Sequence, residues 1–213
     1  MERNRLGIQT NSAERFDTWS STYEKSWTWR WFFSPVHETL EREVGAVSGL
    51  SVLDVGCGTG DMLRRFYAGG ASRLVGVDAS EGMLKAAANL SGGNNTIEFI
   101  GAGADSVPLG SEEFDVVISS IAFHHFPYPA RALSEMARLL KPDGKLYICD
   151  MCSEGLRGRL MLAYGRKVAT DDNYYDRASL TSMITDAGFT PTGSRLVRLF
   201  PLAMLVSAVK PTR

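Results

Sequence analysis

Residues 52–60, Val-Leu-Asp-Val-Gly-Cys-Gly-Thr-Gly, constrain this chain more than any other stretch. Val52, Leu53 and Val55 surround a single acid, Asp54, in the manner of a parallel strand covered on both faces. The run then breaks into glycine at every second position, Gly56, Gly58 and Gly60. Glycine reaches positive φ at little cost and has no Cβ to hold a ligand away from the backbone. The following Asp61-Met62-Leu63-Arg64-Arg65-Phe66-Tyr67 spaces its apolar members like a helix, so the turn ends at a helix N-terminus with free amides. Such an end favours a carboxylate or other anionic group. Strand, turn and helix together predict a ligand-cradling unit.

A second acid closes the next apolar run. Asp78 follows Leu74-Val75-Gly76-Val77, and a carboxylate ending a neighbouring parallel strand accepts hydrogen bonds from both hydroxyls of a ribose. A dinucleotide site shares this layout, but its fingerprint wants a small residue at the sixth motif position, where this chain has Asp61. The alternation of strands and helices then continues, as a doubly wound sheet requires. Ser80 caps a helix over 81–88, and the turn at 92–95 leads into a third strand at 96–100. Residues 114–119 read as the fourth strand, 130–140 as a helix and 145–149 as the fifth strand, with Pro142-Asp143-Gly144 as turn chemistry between the last two. A helix over 176–187 is stopped by Gly188. The runs 195–200 and 202–209 lie too close together for a helical crossover and therefore pair antiparallel at the sheet edge.

The glycine motif and its two acids resemble the opening motifs of the class I S-adenosylmethionine-dependent methyltransferases, and the likeness runs from about Phe16 to the C-terminus. Phe16-Asp17 with Tyr23, Phe123-His124-His125-Phe126 and Leu139-Leu140-Lys141-Pro142-Asp143-Gly144 are most similar to the small-molecule branch that contains the quinone-biosynthesis C-methyltransferases. The resemblance implies an α/β fold, a doubly wound, mostly parallel seven-stranded sheet with a C-terminal antiparallel hairpin and helices on both faces. It implies S-adenosylmethionine as cofactor, S-adenosylhomocysteine as product, and methyl transfer to a small aromatic or hydrophobic acceptor. A cofactor-binding protein without transferase activity is the first alternative, and an NAD-dependent oxidoreductase, disfavoured by Asp61, the second.

Composition narrows the setting. With 24 acidic and 23 basic residues the net charge is -1, which argues against a nucleic-acid footprint and leaves a small molecule as the expected partner. Cys57, Cys149 and Cys152 provide no disulfide framework and suit a reducing cytoplasm. The Cys149 and Cys152 pair has metal-like spacing but no second pair or nearby histidine, so no metal is expected. The start is charged with no apolar signal core, and the apolar run 199–209, broken by Pro201 and Ser207, is too short to span a bilayer. A single domain over 1–213 is expected. Within it, residues 1–48 carry all four tryptophans, Trp19, Trp27, Trp29 and Trp31, and read as a helical lid whose second helix starts after Ser34-Pro35. A docked core helix, or a weak membrane-surface contact through Trp29, Trp31, Phe32 and Phe33, are the competing readings. Residues 49–213 form the cofactor-binding core, in which 151–175 is a substrate-covering insertion, helical over 153–170.

Ligands of open α/β sheets lie beyond the carboxyl ends of the strands, near the switch in strand order. The resemblance assigns Asp54, Gly56, Cys57, Gly58 and Gly60 to the methionine part of the cofactor, Asp78 to the ribose, and Ala79 with Met83 to one face of the adenine. Ser119 and Tyr23 complete the expected cofactor set. Relatives place Gly-Asp-Ala ahead of the fourth strand, the acid contacting the adenine amino group. Here the stretch reads Ala102-Gly103-Ala104-Asp105, so the backbone at Ala104 and a shifted Asp105 are the expected substitutes, with a solvent-facing Asp105 as the competing reading. His124, His125 and Asp150 are the candidates for a base that deprotonates the acceptor.

Overall fold

The computed structural model describes residues 31, 33–92, 96–156, 158, 160, 173–199 and 202–212. Most of the tryptophan-rich segment, Tyr23 included, and most of the expected 153–170 helix lie outside these residues; positions 155, 156, 158 and 160 are α-helical. The elements in chain order are α1 (Ser34–Val44), β1 (Ser51–Val55), α2 (Asp61–Ala68), β2 (Arg73–Asp78), α3 (Glu81–Leu90), β3 (Ile97–Gly101), β4 (Phe114–Ser120), a single 3-10 turn (Phe123–His125), α4 (Pro129–Leu139), β5 (Leu140–Met151), α5 (Arg177–Asp186), β6 (Thr190–Leu199) and β7 (Leu202–Val209). The seven strands form one sheet in the order β3-β2-β1-β4-β5-β7-β6. The first five pair in parallel, while β7 runs antiparallel to both β5 and β6.

Every residue of β1 is buried, and its side chains alternate between two separate cores. Leu53 and Val55 join Val75, Val77 and Val117 in one, closed by Leu133, Met136 and Leu139 of α4 and by Leu180 and Ile184 of α5. Val52 joins Leu74, Val116 and Ile118 in the other, beneath Val36 and Leu40 of α1 and Met62, Leu63 and Phe66 of α2. Each sheet face is thus covered by helices whose apolar stripes repeat every three to four residues. At roughly 25 cal/mol per Å² of apolar surface removed from water, these two layers dominate the stability of the fold.

Two boundaries differ from the sequence reading. β5 begins at Leu140 rather than residue 145, because Leu140 pairs with Phe114 before the ladder slips and resumes at Val116 and Lys145. The turn chemistry survives inside the strand as an irregularity. Asp143 has φ 60°, and its amide donates to the Lys210 carbonyl at 2.9 Å. β6 begins at Thr190 rather than 195, and the ladder shifts between Pro191 and Gly193, which an edge strand tolerates.

α1 is fastened to α2 by charge as well as by apolar contact. His37 Nδ1 lies 2.9 Å from Asp61 Oδ2, which also accepts a hydrogen bond from Arg65 Nε at 2.8 Å. Arg65 Nη1 reaches Glu41 at 3.0 Å. Burial alone would raise the Asp61 carboxyl, but the hydrogen bonds and charges of His37 and Arg65 outweigh it and hold the group at about 2, below its usual 3.8. A carboxylate whose folded pKa is depressed contributes stability above its unfolded pKa and loses it as pH falls through the folded value. In urea denaturation Asp61→Asn should therefore be less stable than wild type by about 1–2 kcal/mol at neutral pH, and the difference should shrink between pH 4 and pH 2.

Candidate functional site

The chain runs outward through β1, β2 and β3, then returns to place β4 on the other side of β1. The connections leaving β1 and β4 therefore diverge, which opens a crevice beyond their carboxyl ends. The glycine turn fills one wall. Gly56, Gly58 and Gly60 have φ of 78°, 52° and 78°, and a Cβ at Gly56 would collide with the Cβ of Ala122. The amides of Gly56 and Cys57 both donate to the Val77 carbonyl, at 2.7 and 3.0 Å, strapping the turn to β2. Asp78 completes the strap: its Oδ2 accepts from the Gly58 amide at 2.8 Å and its Oδ1 from the Ser80 amide at 2.9 Å. Ser80 in turn caps α3, its hydroxyl accepting from the Met83 amide at 3.1 Å.

The resulting cleft encloses about 1030 Å³, part of it open to solvent. Among the residues expected from sequence, Asp54, Gly56, Cys57, Gly58, Asp78, Ala79, Met83, Ala104 and His125 line it. Gly60 sits one step back as the N-cap of α2, Asp105 is half-buried outside the cleft wall, and Ser119 is buried beneath it. Ser120, the next residue of β4, reaches the cleft instead, since neighbouring residues of a strand face opposite sides. Asp54 is 2% exposed, and its Oδ1 has no hydrogen-bond partner among the described residues. Burial, then the charges of Asp78 and Asp61, push its carboxyl up to about 8. Burial drives the Cys57 thiol well above its ordinary value too, so it is an unreactive packing group.

Phe33 and His37 line the cleft from the start of α1, and His125 lines it together with the apolar Ile121, Ala122, Phe126 and Pro127 of its own segment. The strand is bent sharply to deliver them. Ile121 has φ 51°, uncommon for a β-branched residue, and its amide is held by the Cys149 carbonyl at 2.8 Å. The 3-10 turn that follows separates the two histidines. His124 is buried and lies against Asp150 of β5, itself 2% exposed, with Nδ1 2.6 Å from Oδ1 and the His124 amide 2.8 Å from Oδ2. Both Asp150 oxygens already accept from backbone amides, those of His124 and Met151, so the carboxyl acts as acceptor toward Nδ1 and the His124 ring is held in one orientation. The His124 ring packs 3.8 Å from the His125 ring and stacks on Tyr174 at 5.4 Å, centroid to centroid. His125 thus faces the cleft, with the His124–Asp150 pair directly behind it.

Several cleft residues were not singled out as site residues in the sequence reading: Asp61, Ser120 and Ile121, while Phe33 and His37 entered it only within the N-terminal segment 1–48. For His37 a signal existed, a single titratable residue on the buried stripe formed by Val36, Leu40 and Val44. The pairing of His124 with Asp150, 26 residues apart, had no local signal.

Comparison with known proteins agrees with this architecture. A family model described as "Methyltransferase domain" matches residues 53–148. A demethylmenaquinone methyltransferase of Clavibacter sepedonicus is 34% identical over 140 residues, 63% of this chain and 56% of that protein. A ubiquinone/menaquinone biosynthesis C-methyltransferase of Pseudomonas putida is 30% identical over 176 residues, covering 68% of this chain and 67% of that one. A tRNA U34 carboxymethyltransferase of Saccharophagus degradans is 30% identical, with 65% of this chain and 44% of the relative covered. The chain thus spans about half the length of several of the curated relatives it matches. Among solved structures, a methyltransferase bound to the Trm112 activator of Haloferax volcanii superposes with TM-score 0.82 at 20% identity, covering 92% of this chain and 98% of that one. Magnesium protoporphyrin IX methyltransferase of Synechocystis PCC 6803, solved with bound S-adenosylhomocysteine, gives 0.75 at 19% identity, with 95% and 99% covered. At such identities the structural likeness is one of fold, and the sequence relatives carry the assignment. The chain belongs to the class I S-adenosylmethionine-dependent methyltransferases.

Proposed function

We propose that this chain binds S-adenosylmethionine in the cleft and transfers its methyl group to a small aromatic or hydrophobic acceptor. One observation carries the reading: the glycine turn, Asp78 and His125 open onto a single cleft at the switch point of the sheet. In this assignment Asp78 takes the ribose, Ala79 and Met83 lie against the adenine, and the backbone at Ala104 reads its edge. The glycine turn with Asp54 holds the methionine part. The sulfonium methyl then points toward His125 and its apolar neighbours.

The chemistry is an in-line displacement. The carbon–sulfur bond of the methyl breaks as the bond to the acceptor forms, leaving a neutral thioether, and positioning supplies most of the acceleration. An acceptor that must lose a proton gives it to His125. His124 and Asp150 act behind it as positioning residues, because their short contact fixes the ring against which His125 packs. Residues 1–48 act as the lid in the single domain 1–213, and 151–175 cover the acceptor. Phe33 and His37 already supply one cleft wall. Net charge of -1 supports a small-molecule acceptor rather than nucleic acid, and an acceptor of the demethylmenaquinone kind, the compound named in one relative while another is named for ubiquinone/menaquinone biosynthesis, has the right chemistry. No helix among the described residues is long and apolar enough to cross a membrane. Three buried free thiols favour a cytoplasmic setting.

A second reading, cofactor binding without transfer, is favoured by one observation. Asp105, expected to replace the adenine-contacting acid of relatives, lies outside the cleft wall. Product analysis with methyl-labelled S-adenosylmethionine and a reduced short-chain demethylmenaquinone separates the two, since only a transferase labels the naphthoquinol.

Two outcomes follow. S-adenosylmethionine and S-adenosylhomocysteine should raise the melting temperature where NAD does not. Asp78→Ala should raise the Kd for S-adenosylmethionine by a factor corresponding to about 1.5–3 kcal/mol, the range for hydrogen bonds to a charged acceptor. It should also lower the melting temperature, because the amides of Gly58 and Ser80 lose their acceptor. Unchanged affinity in calorimetry would place the ribose elsewhere. For the acceptor end, His125→Ala should reduce kcat on the order of 100-fold with cofactor affinity retained, the low end for a general base. Asp150→Asn should move kcat in the same direction by less, and unaltered turnover in both would remove the histidine from the chemistry.

A further inference from the structure

Three carboxylates open on the cleft, and they are not equivalent. Asp61 of α2 is neutralised by His37 of α1 and Arg65. Asp78, ending β2, accepts from the Gly58 and Ser80 amides. Asp54 of β1 is buried near both, with an oxygen that meets no donor among the described residues. Ionising it would add a further negative charge beside Asp78 in a poorly solvated place, uncompensated by a hydrogen bond at that oxygen. A ligand carrying fixed positive charge removes that obstacle, because an opposite charge within about 4–6 Å favours the ionised form. Resting on the reading of the cleft as an S-adenosylmethionine site, we propose that Asp54 selects a cationic ligand by exchanging its proton for the ligand's positive charge, so that cofactor capture releases a proton.

The step balances simply. The O–H bond of the Asp54 carboxyl breaks, the proton leaves to solvent, and the carboxylate remains beside a cofactor that bears a sulfonium and an ammonium. Geometry and electrostatics agree on the direction, since burial with Asp78 and Asp61 nearby holds the carboxyl at about 8. Such a group is mostly protonated at pH 7, so binding releases up to one proton, and affinity rises with pH up to about pH 8. The charged and titratable groups facing this region are Asp78 from β2, Cys57 in the turn, Asp61 with Arg64 and Arg65 from α2, His37 from α1 and His125 beyond β4. The ligand's own α-amino group titrates near pH 7.7–8.0 and acts in the opposite sense. The informative quantity is therefore the difference between wild type and Asp54→Asn, a neutral isostere of the protonated acid.

Calorimetry of the full chain with S-adenosylmethionine at pH 7, in buffers of different ionisation enthalpy, reads the proton count directly. Wild type should release close to one proton more than Asp54→Asn, and 5′-methylthioadenosine, neutral at this pH, should release none. Infrared difference spectra of the wild-type protein should lose a protonated-carboxyl band on adding S-adenosylmethionine, which keeps the test independent of whether the variant folds. Equal proton counts in wild type and variant, or no change in the carboxyl band, overturn the proposal while leaving the cofactor reading intact. Failure of both S-adenosylmethionine and 5′-methylthioadenosine to bind at any pH overturns the cofactor reading and the proposal with it.

Discussion

Two amides of the glycine turn, those of Gly56 and Cys57, converge on the carbonyl of Val77, and Asp78 holds the next glycine through its carboxylate. These bonds join the end of β1 to the end of β2 and fix the turn in a backbone conformation with positive φ at each of its three glycines. Without them the turn would have little reason to stay open toward a ligand, since glycine gives up more conformational freedom on ordering than any other residue. The same bonds set the position of Ala122, which packs where Gly56 lacks a side chain. The two walls of the cleft, one from β1 and one from β4, are therefore registered against each other by one close approach.

That arrangement explains why acidic groups accumulate at the site. Asp78 is held because backbone amides need an acceptor there, and Asp61 because α1 needs an anchor on α2. Asp54 serves neither purpose. Its neighbours raise the cost of its charge, and a buried acid of this kind is expected where function rather than stability sets the choice of residue. His124 and Asp150 form the opposite case, a buried pair in which the carboxylate meets a ring nitrogen and two amides. Each of its demands is met locally, so it can hold a ring rigidly without perturbing the cleft.

Much of the fold was legible because its signals are local. The alternating glycines, the acids that end β1 and β2, and the Ser80 cap each act within a few residues, and strand and helix periods could be read between them. The antiparallel pairing of β6 with β7 followed from loop length alone. What escaped depends on distance. His124 meets Asp150 only because β4 and β5 lie side by side in parallel register, and no spacing in the chain announces that. His37 enters the cleft because α1 crosses over α2, a packing fact. The irregular start of β5 was hidden because Pro142-Asp143-Gly144 makes a turn either between elements or within a strand, and the pairing of Leu140 with Phe114 decides which.

The central claim is directional: adenosine lies at the Asp78 end of one continuous cleft, and the transferable methyl lies at the His125 end. Isotope-filtered nuclear Overhauser spectroscopy of the protein with S-adenosylmethionine carrying a carbon-13 methyl measures this without requiring an acceptor. Contacts are expected from the labelled methyl to the imidazole of His125 and from the adenine to Met83. Contacts of the methyl with Met83, or a methyl with no contact to His125, would contradict it.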